Sequence, residues 1–318
     1  MEFMDLFSSP LSAAIAVAAL GVLFVNGWTD APNAIASAVA TNALSMRQGV
    51  LLAGLMNALG GIAALLIGQK VAQTVYFMGD LSSDGAALAA ALASVILWAV
   101  AAWRFGIPTS ESHGLMASIL GATVALGGAV SMVAVWRMVS GLVLSVSLGF
   151  LGGRFFGYAL SKLRAPKRFW QGGQVVSAGL MAFAHGLQDT PKFASVLLLC
   201  KGMQGEFELP LWLMLLCSGV ISLGTLLGGG RIIRKVGGAM VQMDLQSGFA
   251  ADLAGTFSLL LSTLQGLPVS TTHAKTCAMM GAAGKVDLKI AGSMFAAWIL
   301  TFPACFFLSF FLTMLFTI

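Results

Sequence analysis

Two aspartates stand inside otherwise apolar sequence. Asp30 lies in Asn26-Gly27-Trp28-Thr29-Asp30-Ala31-Pro32-Asn33, and Asp189 lies in His185-Gly186-Leu187-Gln188-Asp189-Thr190-Pro191-Lys192. Each carboxylate comes two residues before a proline, and the two are 159 positions apart, as are Gly27 and Gly186. A carboxylate in hydrocarbon costs on the order of 3 kcal/mol by insertion scales, and such residues mark ion or substrate paths. Recurrence in register points to one site made by two halves.

A second motif repeats in the same order. Gly106-Ile107-Pro108-Thr109-Ser110-Glu111-Ser112-His113 is echoed 160 positions later by Gly266-Leu267-Pro268-Val269-Ser270-Thr271-Thr272-His273. Proline suits the first turn of a helix, and Ser110 and Ser270 are placed as N-caps. A helix N-terminus offers unpaired N–H donors and partial positive charge, which suits an oxyanion. The hydroxyls of Ser112, Thr271 and Thr272 add neutral donors. All three histidines, His113, His185 and His273, fall in these motifs. Asp252 is a third intramembrane carboxylate and Asn57 a polar residue in an apolar helix. Either could join a cation site, because Na⁺ is a hard ion that takes oxygen ligands.

The elements that must position these residues are membrane helices. The chain of 318 residues is 58% hydrophobic and 9% charged, with a mean hydropathy of +0.92, whereas soluble domains carry roughly 25% charged residues. Several apolar runs reach the ~20 residues that a crossing requires, and the shorter ones border the motifs. The net charge of +5 sits in loop clusters, Arg154, Lys162, Arg164, Lys167 and Arg168 in one and Arg231, Arg234 and Lys235 in another. That distribution predicts cytoplasmic loops, with no nucleic-acid partner. Cys200, Cys217, Cys277 and Cys305 lack metal-like spacing and read as small buried hydrophobes. The N-terminus carries Glu2 and Asp5 rather than a basic leader and reads as a retained membrane segment.

The repeat divides the chain into a first half over residues 1–152, a basic cytoplasmic connection over 153–172 and a second half over 173–318. Leu11 to Leu44 would be roughly 50 Å as one helix, against a hydrocarbon core of about 30 Å. Pro32 also disfavours helix at Ala31, so a break is expected near Gly27–Asn33, and the same at the second aspartate. Broken backbone at membrane depth is tolerated only beside protein or water. The expected fold is an all-α polytopic membrane protein. Its two inverted-topology repeats carry broken helices or re-entrant hairpins at the midplane, where secondary transporters bind substrate.

These motifs resemble those of the inorganic phosphate transporter (PiT) family and its sulfate-permease relatives. Gly224-Thr225-Leu226-Leu227-Gly228-Gly229 followed by Arg231-Ile232-Ile233, and Gln246-Ser247-Gly248-Phe249-Ala250-Ala251, resemble that family too. The resemblance spans nearly the whole chain. It implies a multi-pass symporter of the cytoplasmic membrane that imports inorganic phosphate with Na⁺ or H⁺. It also implies a homodimer, no resident cofactor and both termini outside. Sulfate, another tetrahedral oxyanion, is the alternative substrate. The substrate residues then expected are Thr29, Asp30, Ser110, Ser112, Asp189, Lys192, Ser270, Thr271 and Thr272. The coupling ion is expected at Asp30, Asn33, Asn57, Glu111, Gln188, Asp189 and Asp252, with a Na⁺ near Asp30, Asn33 and Asp252.

Three departures stand out. Glu111 replaces a small polar residue or Asn, Gln188 replaces Asn, and Lys192 stands where sodium-coupled members carry Asn. Three residues after Asp189, the Lys192 ammonium can reach that carboxylate on one helical face and take the place of a sodium; the alternative is that it binds the anion. A hydrolase reading finds no Gly-x-Ser-x-Gly elbow and gives no reason for duplicating the whole set. A passive channel is separable from a symporter by uphill accumulation.

Overall fold

A computed structural model describes residues 8–81, 84–105, 109–199, 207–228, 233 and 240–317. Glu2, Asp5, Gly106, Ile107, Pro108, Cys200, Gly229, Arg231, Ile232, Arg234 and Lys235 lie outside the described residues.

The first half begins with α1 (Pro10–Thr29), whose N-cap Ser9 forms a capping box with Ser12. A 3₁₀ turn at Ala31–Ile35 and the short α2 (Ala36–Ala40) follow. Then come α3 (Met46–Ile67), α4 (Gln69–Tyr76), α5 (Gly85–Arg104), α6 (Glu111–Ala125) and α7 (Met132–Ser161). The second half runs through α8 (Lys167–Leu199), α9 (Leu211–Leu227), α10 (Leu245–Leu264), α11 (Thr271–Ala282) and α12 (Leu288–Phe316). A two-residue antiparallel ladder, Val241–Gln242 with Lys285–Val286, is a small addition to an otherwise helical fold. Among the described residues, six segments are long and apolar enough to cross a membrane: 10–40, α3, α5, α7, α10 and α12. The chain is a multi-pass membrane protein.

The repeat is visible in two pairs of helices. α5 and α10 coincide at an offset of 160 at both ends, and α6 and α11 at their starts. The halves interlock: α1 packs on α9 and α3 on α8, while α7 packs on α10 and α11 and α12 on α5 and α6. Glycines permit these crossings. A Cβ on Gly27 would overlap the carbonyl oxygen of Ile221, and one on Gly60 that of Phe183. Their crossing partners Gly224 and Gly186 face the carbonyls of Phe24 and Asn57 in the same way.

Two expectations are corrected. The chain breaks at Asp30, as expected, but α8 runs unbroken through Asp189 and Pro191. Proline removes one donor, and the backbone contacts with α3 at Phe183 and Gly186, just before Asp189, hold the helix in register. The basic stretch 153–172 is not one loop either. Its ends continue α7 to Ser161 and start α8 at Lys167, leaving residues 162–166 as the connection.

At 1.5 Å per residue, α6 and α11 are about 22 and 18 Å long, short of a ~30 Å core. They are half-helices whose N-termini lie inside the protein, next to the break after α1.

Candidate functional site

The N-termini of α6 and α11 are built alike. Ser110 Oγ accepts the backbone N–H of His113 at 3.2 Å, and Ser270 Oγ that of His273 at 3.2 Å. Both serines are the expected caps, and each hydroxyl keeps its own O–H to donate. The next two residues on each helix, Glu111 and Ser112 or Thr271 and Thr272, turn their side chains toward the aspartates.

There the two halves meet. Thr271 Oγ1 lies 3.2 Å from Asp30 Oδ2 and 3.3 Å from Asp189 Oδ2. Asn33 Nδ2 donates to Asp30 Oδ1 at 3.2 Å and to Thr272 Oγ1 at 2.8 Å. Ser112 Oγ is 3.3 Å from Asp189 Oδ1. Thr29 Oγ1 reaches Glu111 Oε1 at 2.6 Å and the carbonyl of Val25 at 2.7 Å. Asp30, Glu111 and Asp189 are each no more than 2% exposed.

Among the described residues, one ammonium touches these carboxyls. Lys192 Nζ donates to Asp189 Oδ1 at 2.7 Å, Ser112 Oγ at 3.0 Å and the carbonyl of Val269 at 2.5 Å. The expected contact between Lys192 and Asp189 is therefore made, with all three ammonium donors used. In contrast, Asn26 Oδ1, Asn33 Oδ1 and Glu111 Oε2 are buried acceptors with no hydrogen-bond partner among the described residues. Buried acceptors of this kind are costly unless a guest satisfies them.

Two residues absent from the expected substrate and ion set complete the cluster. Asn26 Nδ2 donates to Asp189 Oδ2 at 3.2 Å, and His185 Nε2 stands 3.4 Å from the same oxygen. They are repeat mates, 159 positions apart, yet both converge on Asp189. Asp30, His185 and Asp189 together could hold a metal ion, their ligand atoms lying within 4.8 Å of one another.

Three expected ion-site residues stand elsewhere. Asp252 does not join Asp30 and Asn33: its carboxylate is paired with the Lys275 ammonium and also accepts from Ser37 Oγ at 2.6 Å and Ser177 Oγ at 3.1 Å. Gln188 points to α10 and the following loop, accepting from Thr263 Oγ1 at 2.5 Å and donating to the carbonyl of Leu267 at 2.8 Å. One residue before Asp189 on a continuous helix, it is turned to another face. Asn57 donates its amide to Thr225 Oγ1 at 3.0 Å, and its carbonyl oxygen lies 2.9 Å from His185 Nδ1, so it contacts His185 rather than Asp30 or Asp189. Lys275 was not among the expected residues, although a lysine one turn beyond Thr271 in an apolar half-helix was a visible signal. His113 and His273 pack on each other, ring centroids 4.8 Å apart, and on Phe302 and Trp298.

A family model described as the phosphate transporter family matches the chain twice, over residues 26–169 and 161–309. A relative from Rhizobium meliloti is 34% identical, with 93% of each chain covered. One from Bacillus subtilis is 30% identical, with 92% of this chain and 93% of the relative covered. Both are named probable low-affinity inorganic phosphate transporter. A solved structure titled the sodium-dependent phosphate transporter shares the fold with a TM-score of 0.85 at 19% identity, covering 97% of this chain and 99% of the other.

Proposed function

The chain belongs to the phosphate transporter family, and from that premise we propose that it imports inorganic phosphate across the cytoplasmic membrane as a proton-coupled symporter. The carrying observation is the ammonium of Lys192 seated on Asp189 and Ser112. It occupies one carboxylate of the pair with a cation that cannot leave.

The remaining charges support coupling. Three buried carboxyls, Asp30, Glu111 and Asp189, face one ammonium. An anion enters such a site only if protons or cations accompany it, since uncompensated buried charge costs several kcal/mol. The partnerless oxygens of Asn26, Asn33 and Glu111 suit the donors that a protonated phosphate or a hydrated cation brings. Asp30 favours phosphate over sulfate: its carboxylate is held by the neutral donors Asn33 and Thr271 and can accept a P–O–H, which sulfate does not have.

The test is uptake of labelled phosphate into proteoliposomes under imposed Na⁺ or pH gradients, with sulfate as competitor. The wild type should respond to the pH gradient, and Lys192→Asn should gain Na⁺ dependence. Uptake indifferent to Na⁺ in both proteins would overturn the tethered-cation reading, and equal competition by sulfate the substrate.

A further inference from the structure

The repeat supplies an internal control for every buried polar group. One turn beyond the aspartate site, Asn33 is followed by Ser37 on α2 and Thr271 by Lys275 on α11. Lys275 Nζ pairs with Asp252 and donates to Ser37 Oγ at 2.9 Å. Ser37 Oγ is 2.6 Å from Asp252 Oδ1, while Ser177 Oγ and Gln174 Nε2 reach Asp252 Oδ2 at 3.1 and 3.4 Å. All five residues are fully buried.

Shifting each by the repeat offset lands on Val196, Leu115, Leu92, Ala18 and Ile15. Every one of these belongs to or packs against a single apolar cluster. The same architectural place is therefore ionic in one half and dry in the other. A buried ion pair is commonly no more stable than apolar residues of similar volume. Stability thus gives no reason for the ionic version, and the first half shows that the fold accepts the apolar one.

We propose that the Asp252–Lys275 network is a second oxyanion station, where phosphate leaving the aspartate site is held on its way to the cytoplasm. This rests on the transport reading above. Lys275 sits four residues after Thr271 on the same face of α11, so the anion moves about 6 Å, one helical turn, from the Thr271 and Thr272 hydroxyls to the ammonium. When Lys275 transfers its hydrogen bond from Asp252 to a phosphate oxygen, the coupling proton that accompanies the anion neutralises Asp252, whose carboxyl keeps Ser37, Ser177 and Gln174 as partners. The station lies toward the basic end of the molecule: Gln174 is seven residues, about 10 Å, into α8, which starts at Lys167 beside Arg164 and Arg168. Basic connections mark the cytoplasmic side. The apolar counterpart around Ile15, Leu92 and Leu115 is then the dry closure on the opposite side.

The test replaces the pair with the residues that the first half uses, Asp252→Leu together with Lys275→Leu, in the full chain. Phosphate binding by the purified protein should stay within about twofold of wild type, while transport falls by at least about tenfold. Transport within twofold of wild type, or binding lost along with transport, overturns the proposal. A wild type that neither binds nor moves phosphate would instead remove the functional reading beneath it. Should the double variant fail to assemble, Lys275→Arg is measured in whole cells and in inverted membrane vesicles. A change in KM at the cytoplasmic face with the outer KM unchanged supports the station; equal changes at both faces, or none, refute it.

Discussion

Asp30 and Asp189 share the hydroxyl of Thr271, which lies 3.2 and 3.3 Å from their nearest oxygens. The contact joins the break after α1, the middle of α8 and the N-terminus of α11. The two carboxylates differ in everything else around them. Asp189 has Lys192, Ser112, Asn26 and His185 around it, whereas among the described residues Asp30 has Asn33 besides the shared threonine and no cation in direct contact.

That inequality predicts different costs for the same substitution. Asp189→Asn removes the carboxylate in direct contact with the buried Lys192 ammonium and should destabilise the protein by about 3–5 kcal/mol. Asp30→Asn should cost far less while abolishing uptake. Thermal unfolding in detergent checks both, and Asp189→Asn with Lys192→Met should recover most of the lost stability. Equal losses for the two single variants would contradict the asymmetry.

Glu111→Gln keeps an acceptor for Thr29 and removes one carboxylate from the site. The number of protons moved per phosphate should fall by one, read from the reversal potential of phosphate-dependent current. An unchanged stoichiometry would place the coupling proton on another group.

Ser110→Ala and Ser270→Ala should each cost about 1 kcal/mol through loss of an N-cap. Ser270→Asn, a competent cap, should restore Tm. If its KM for phosphate nevertheless rises, the serine hydroxyl contacts the substrate in addition to capping.

Gly186→Ala would press a methyl onto the backbone of Asn57. The α3–α8 crossing must then spread, with an expected loss of about 1–3 kcal/mol and lower uptake, because Asp189 rides on the same helix. Gly219→Ala on α9 meets nothing within 4 Å and is the control. Melting temperatures of the two variants decide the point.

The sequence by itself determined the membrane character, the duplication and the identity of the two carboxylates. These follow from composition, from spacing and from the cost of charge in hydrocarbon, none of which depends on how the helices cross. Capping by Ser110 and Ser270 was legible too, since it is a contact between residues three apart. So was the reach of Lys192 to Asp189, one turn along a helix. Only the tertiary structure decided the rest. A proline breaks the chain after Asp30 yet is tolerated in α8, because the α3 crossing clamps that helix just before it. Asp252 binds Lys275 instead of joining Asp30, and Asn26 and His185 both turn to Asp189. Pairings of this kind join residues distant in sequence, and they depend on which faces the glycine-lined crossings bring together. The repeat predicts equivalent positions, but not which partner each buried charge finds.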